Sequence, residues 1–85
     1  NFHAQILVEP GNATELAEAK RIATRMAERA LRVGGTITGE HGVGIGKRGL
    51  MAAEHGEGWQ VMGAIKTALD PRDILNPGKL VPDRN

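Results

Sequence analysis

The chain contains no cysteine and no tyrosine, and only one tryptophan and one phenylalanine. Without cysteine there is neither a disulfide framework nor a thiolate metal site, so any bound metal must rest on histidine and carboxylate ligands. The same absence suits a reducing compartment. So few aromatic side chains leave little on which nucleic-acid bases could stack. An excess of one charge is missing too. Eleven basic residues stand against 10 acidic ones, for a formal net charge of +1, and the two signs are interspersed. Nucleic acid is therefore not expected as a partner. No apolar run approaches the roughly 20 residues needed to span a bilayer, and the start lacks a charged-then-apolar signal pattern. A soluble chain is expected. With 85 residues there is one small domain at most, near the size at which a single core barely suffices. The opening Asn1-Phe2-His3, with no initiator Met and no polar lead-in, reads as a piece of a longer protein.

Glycine, by contrast, is abundant and concentrated. Seven of the 12 glycines fall between Gly34 and Gly49, around an acid and an imidazole side by side, Glu40 and His41. Glycine density of this kind builds no core, because each glycine loses much backbone entropy on folding and adds no side chain to packing. It does let the backbone turn tightly and approach a ligand. Glu40 and His41 are accordingly the expected chemical centre.

The rest of the chain reads as α+β, with a small sheet of two or more short strands packed by one long and two shorter helices. Phe2 to Glu9 carries Ile6-Leu7-Val8 and stops at Pro10-Gly11, which suits a strand. Asn12 with Glu15 three residues on forms a capping-box signal for a helix reaching about Val33. Along it Leu16, Ala19, Ile22, Ala23, Met26, Ala27, Ala30 and Val33 recur at three- and four-residue steps, drawing one apolar stripe. Gly34-Gly35 supplies the stop. Thr36-Ile37-Thr38 is β-branched and suits a second strand. If the two strands were parallel neighbours, His3 and Glu40 would lie at opposite ends of the sheet, whereas a split or antiparallel arrangement would bring them together. Sequence does not choose between these. A two-turn helix from Lys47 to His55, a break near Gly56-Glu57-Gly58 and a helix from Trp59 to Leu69 follow. Asp70-Pro71 ends that helix, and residues 70–85 form turns around a small apolar anchor, Ile74-Leu75. Leu80 and Val81 beyond those turns suggest docking against another surface.

Two chemistries compete for the glycine loop. Gly44-x-Gly46-x-x-Gly49 satisfies the short dinucleotide pattern, but no strand runs directly into its first glycine and none follows the next helix. A Walker pattern fails because His41 stands at the first glycine position and Arg48 where the hydroxyl should be. A metal and acid-base site is the alternative. His3 and Glu40 suit a divalent ion, while His41 carries the side-chain type that titrates near neutral pH and can move a proton. A solvated Glu-His pair in a loop explains the same spacing without chemistry. His55, beside Glu54 at a helix end, need only complement the helix dipole.

Three blocks occur together: Asn1-Phe2-His3; Thr36-x-Thr38-Gly39-Glu40-His41-Gly42-x-Gly44-x-Gly46-Lys47-Arg48; and Asp70-Pro71…Leu75-Asn76-Pro77-Gly78-Lys79. Jointly they resemble the C-terminal end of the FAD-linked oxidases of the vanillyl-alcohol oxidase type. Within that group they are most similar to the cytochrome-linked D-lactate dehydrogenases, with the flavin subunit of glycolate oxidase close behind.

The resemblance implies a C-terminal fragment of a larger substrate or cap domain, with residues 1–69 as the α+β body and residues 70–85 as a tail returning toward an FAD-binding domain. It implies a flavin-dependent dehydrogenase that oxidises a D-2-hydroxy acid, D-lactate or glycolate, to the 2-oxo acid. By the same resemblance His3 and Glu40 are metal ligands for an ion such as Zn²⁺ or Mn²⁺, and His41 is the general base. Asn76 and Lys79 match the block that reaches the flavin and substrate pocket. FAD is bound mainly by the N-terminal domain, and electrons leave to a separate acceptor. A cytoplasmic location, peripheral to a membrane through that acceptor, goes with this. The family's other metal-binding histidine would lie just upstream of Asn1, so the 85-residue piece alone is expected to be inactive. A structural or partner-docking module whose glycine loop is only a connector is the competing reading.

Overall fold

The computed structural model describes residues 2–84; Asn1, in the first block of the resemblance, and Asn85, at the end of the expected tail, lie outside them. The chain divides into two compact units, the first ending at Glu40 and the second beginning at His41.

Among the described residues of the first unit the one regular element is helix α1, Ala13–Arg32. Its start is fixed as the capping signal predicts, since the Asn12 side chain accepts from the Glu15 backbone N–H at 3.0 Å. The reciprocal bond is displaced. Glu15 Oε2 accepts not from Asn12 but from the Glu9 N–H, at 2.7 Å, and the Asn12 N–H donates to the Glu9 carbonyl at 3.0 Å across the turn at Pro10-Gly11. The helix ends in a Schellman arrangement: Gly35 N–H donates to the Ala30 carbonyl at 2.7 Å and Gly34 N–H to that of Leu31 at 3.1 Å. Gly34 makes this possible with φ +83°, and a Cβ on Gly35 would meet the Ala30 oxygen at 3.0 Å. The apolar stripe is present but largely exposed, with only Ala19, Ala27 and Ala30 half-buried. No residue of α1 is buried, and Leu16 and Val33 are 47% and 63% exposed.

The expected sheet is not there: among the described residues no strand forms. Phe2 to Glu9 has neither helix nor strand, with Phe2 and Leu7 about nine-tenths exposed. At the second candidate the Thr38 N–H turns to the Thr36 Oγ1 at 3.4 Å, a local bond in place of a ladder bond. β-Branched composition marks a segment that fits a pleated surface, but a strand exists only where another strand takes its N–H and C=O groups. Two short segments alone rarely hold such a pairing in water.

The second unit is helical. A 3₁₀ turn at Arg48–Leu50 leads into α2, Met51–His55, and α3 spans Glu57–Leu69. Gly56 breaks α2 from α3 with φ +55° and ψ −129°, where the sequence places a break. Met51 is the one buried apolar residue among those described, at 1% exposure. Residues 70–84 fold back over α3. Pro82 crosses it at Gly63, where a Cβ would stand 3.3 Å from the proline Cδ. The Arg48 guanidinium donates to the Val81 carbonyl at 2.7 Å and to the Asp83 carboxylate at 2.5 Å, and Trp59 Nε1 donates to the Leu80 carbonyl at 2.8 Å.

Because Met51 is enclosed on all sides, Met51→Ala should lower the stability of this unit by about 2–5 kcal/mol. Denaturation followed through the fluorescence of Trp59, the chain's single tryptophan, checks this. An unchanged midpoint would mean that the packing centre lies elsewhere.

Candidate functional site

The first unit brings two of the predicted site residues together. His3 Nε2 lies 3.1 Å from Glu40 Oε1, although 37 positions separate them, and the two side chains are 57% and 63% exposed. The two side chains meet without either of the sheet arrangements considered from sequence, since no strand forms among the described residues. His41 follows Glu40 directly in the chain and opens the second unit. Beyond it the glycines do what their density predicts, with Gly42 at φ +76° and Gly44 at φ +57°, values that side-chain-bearing residues seldom take. Only the 3₁₀ turn at Arg48–Leu50 and the short α2 follow the Gly44-x-Gly46-x-x-Gly49 pattern, so it does not lead into a long helix as dinucleotide binding requires. His55 ends α2 and pairs with Glu54 at 3.0 Å, a local contact.

Asn76 and Lys79 line an open groove of about 730 Å³ in the second unit. Its walls are mostly apolar, from Met62, Ile65, Leu69, Leu75 and Leu80. Asn76 has φ +46°, and the Lys79 ammonium donates to the Pro77 carbonyl at 3.4 Å.

The strongest electrostatic feature of this unit was not among the predicted site residues. Asp70, 5% exposed, accepts from the backbone N–H of Ile74 at 3.1 Å and of Leu75 at 2.9 Å, and from the Lys66 ammonium. Lys66 also donates to the Leu75 carbonyl at 2.6 Å and lies 3.3 Å from Asp73. The Lys66 hydrogen bond, aided by the two backbone donors and opposed by burial, holds the Asp70 carboxyl at about 2, below the ordinary 3.8. Lys66 is raised in return, chiefly by its bond to Asp70. The signal in sequence was the i, i+4 spacing of Lys66 and Asp70 just before Pro71, which marks both an ion pair and an Asp-led turn.

With this geometry in view, the chain belongs to the family of FAD linked oxidases, C-terminal domain, whose model matches residues 1–80. It is 44% identical over 82 residues to a probable D-lactate dehydrogenase, mitochondrial, of Danio rerio, covering 95% of this chain and 16% of that protein. It is 48% identical over 83 residues to the mitochondrial D-lactate dehydrogenase [cytochrome] of Arabidopsis thaliana, covering 96% and 15%. To the glycolate oxidase subunit GlcD of Bacillus subtilis the identity is 41% over 81 residues, covering 94% and 17%. The chain thus spans about a sixth of the length of these relatives. Two of them are named mitochondrial, which gives the expected cytoplasmic location no support. Among the described residues no helix is long and apolar enough to cross a membrane.

A pH dependence follows from Asp70. Its folded value is depressed, so its contribution to stability is complete above 3.8 and is lost as pH falls toward about 2. Trp59 fluorescence should report loss of the second unit's structure across that window, and Asp70→Asn should flatten the acid limb. An identical acid limb in the variant would show that another carboxylate governs it.

Proposed function

We propose that this chain supplies part of the substrate site of a flavin-dependent dehydrogenase that oxidises a D-2-hydroxy acid, D-lactate or glycolate, to the 2-oxo acid. The observation that carries the reading is the His3–Glu40 convergence at 3.1 Å. Two donors of one tetrahedral ion with bonds of about 2.05 Å lie roughly 3.3 Å apart, and a neutral imidazole nitrogen with a carboxylate oxygen is a donor set that Zn²⁺ or Mn²⁺ accepts. His3 and Glu40 would therefore hold such an ion. When bound, the metal acidifies the substrate hydroxyl and the flavin provides a two-electron sink.

The chain's own part is proton transfer and placement. His41 takes the hydroxyl proton on a ring nitrogen as the carbon gives up its hydride; imidazole suits this because its proton affinity lies near working pH. Asn76 and Lys79 place polar groups at the rim of the second unit's groove, toward the flavin and the substrate carboxylate. Residues 70–85 form a tail that returns to the N-terminal FAD-binding domain, which holds FAD, and electrons pass on to a separate acceptor. The second reading, a docking module with a connector loop, draws on α1, none of whose residues is fully buried.

The test uses the full-length flavoprotein. His41→Ala should cut D-lactate turnover by about 10²–10⁴-fold with FAD content intact, and Glu40→Ala should lose bound metal and D-lactate-dependent flavin bleaching together. Wild-type turnover in the first variant removes His41 from its role. Bleaching that persists in the second favours the docking module.

A further inference from the structure

Within the second unit, the four residues from Asn76 to Lys79 are suspended between two anchors. On one side Leu75 is held by both of its backbone polar groups: its N–H by Asp70 at 2.9 Å and its carbonyl by Lys66 at 2.6 Å. On the other side Leu80 is held in the same way, its N–H donating to the Gly44 carbonyl at 2.9 Å and its carbonyl accepting from Trp59 Nε1 at 2.8 Å. Fixing a residue's N–H and C=O fixes the peptide planes on either side of it. The loop between has little freedom left. Pro77 sets its own φ, while Asn76 at φ +46° and Leu80 at φ +61° occupy a left-handed region that costs a side-chain-bearing residue free energy and persists only where the surroundings over-determine it. The anchors supply that over-determination. Asn76 directly follows the Leu75 anchor and Leu80 is itself the other anchor, and Asn76 and Lys79 are the two polar side chains the loop presents to the groove. Gly44, moreover, is three residues beyond His41 in the glycine loop, so the Leu80 anchor sets the register between two loops of this unit.

We propose that Asp70, Lys66 and Trp59 are positioning residues that hold Asn76 and Lys79 in working geometry at the groove. The inference rests on the role given above to Asn76 and Lys79. Asp70 and Lys66 act through Leu75, and Trp59 acts through Leu80. None of the three needs to touch substrate or flavin.

The distinguishing experiment is a double-substitution cycle in the full-length flavoprotein with D-lactate as the probe. Trp59→Phe keeps the ring and removes only the donor to Leu80. It should lower kcat/KM about fivefold to tenfold, since small displacements of a positioned group are costly, and the amides of residues 78–80 should exchange faster. In a Lys79→Ala background the same substitution should have little further effect, because the group it positions is gone. Asp70→Asn should behave likewise, and Trp59→Phe keeps the test decisive if Asp70→Asn does not fold. An equal loss in both backgrounds would mean that Trp59 acts through general stability, and the inference fails while the functional reading stands. Full activity in Trp59→Phe, with Lys79→Ala impaired, also overturns the inference alone. Full activity in Lys79→Ala overturns the role given to Lys79, and the clamp with it.

Discussion

The Asp70 carboxylate is the constraint on which the second unit depends. A buried ionised carboxylate is costly unless its lone pairs are filled. Here they are filled by Lys66 from within α3 and by two backbone N–H groups from the segment that follows. The charge thereby converts the end of a helix into the start of a defined loop. Arg84 closes the far end by donating to the carbonyls of Asp70 and Pro71, so residues 70–84 return to their own beginning. With one buried apolar residue, Met51, among those described, this unit has little hydrophobic burial to draw on, and polar closure carries a correspondingly larger share of its definition.

The first unit illustrates the opposite regime. Its one helix is held by local terms: the Asn12 cap, the Glu18–Arg21 pair and the Schellman ending. A cap contributes about 1 kcal/mol and a surface ion pair a few tenths, while an amphipathic helix ordinarily draws most of its stability from burying its stripe. That stripe lies open in α1.

These two regimes explain what could be read in the sequence. Asn12, Glu15 and Gly34-Gly35 act within a few residues of themselves, so α1 was legible to within a residue at each end. The break at Gly56 was legible for the same reason. The sheet was misread because Ile6-Leu7-Val8 and Thr36-Ile37-Thr38 report only a willingness to pair, and pairing depends on a partner that local composition does not reveal. The Asp70 cluster was half visible: Lys66 and Asp70 have the spacing of a helical pair, but the bonds to Ile74 and Leu75 depend on how the chain turns after Pro71. At the site, residue types named His3, Glu40 and His41, yet only coordinates could bring His3 to Glu40 across 37 positions.

The exposure of that pair bears on how strongly its two groups interact. Two unit charges about 4 Å apart interact by roughly 1 kcal/mol in water, and several-fold more where water is excluded. His3 and Glu40 are more than half exposed, so water weakens the attraction between them. Excluding water from the pair would strengthen that attraction several-fold. The open stripe of α1 and the apolar groove beside Asn76 and Lys79 are two further surfaces whose physical chemistry favours cover. His3 and Glu40 are thus brought together within the first unit and the Asp70 clamp is built within the second, while each unit leaves an apolar surface open to water.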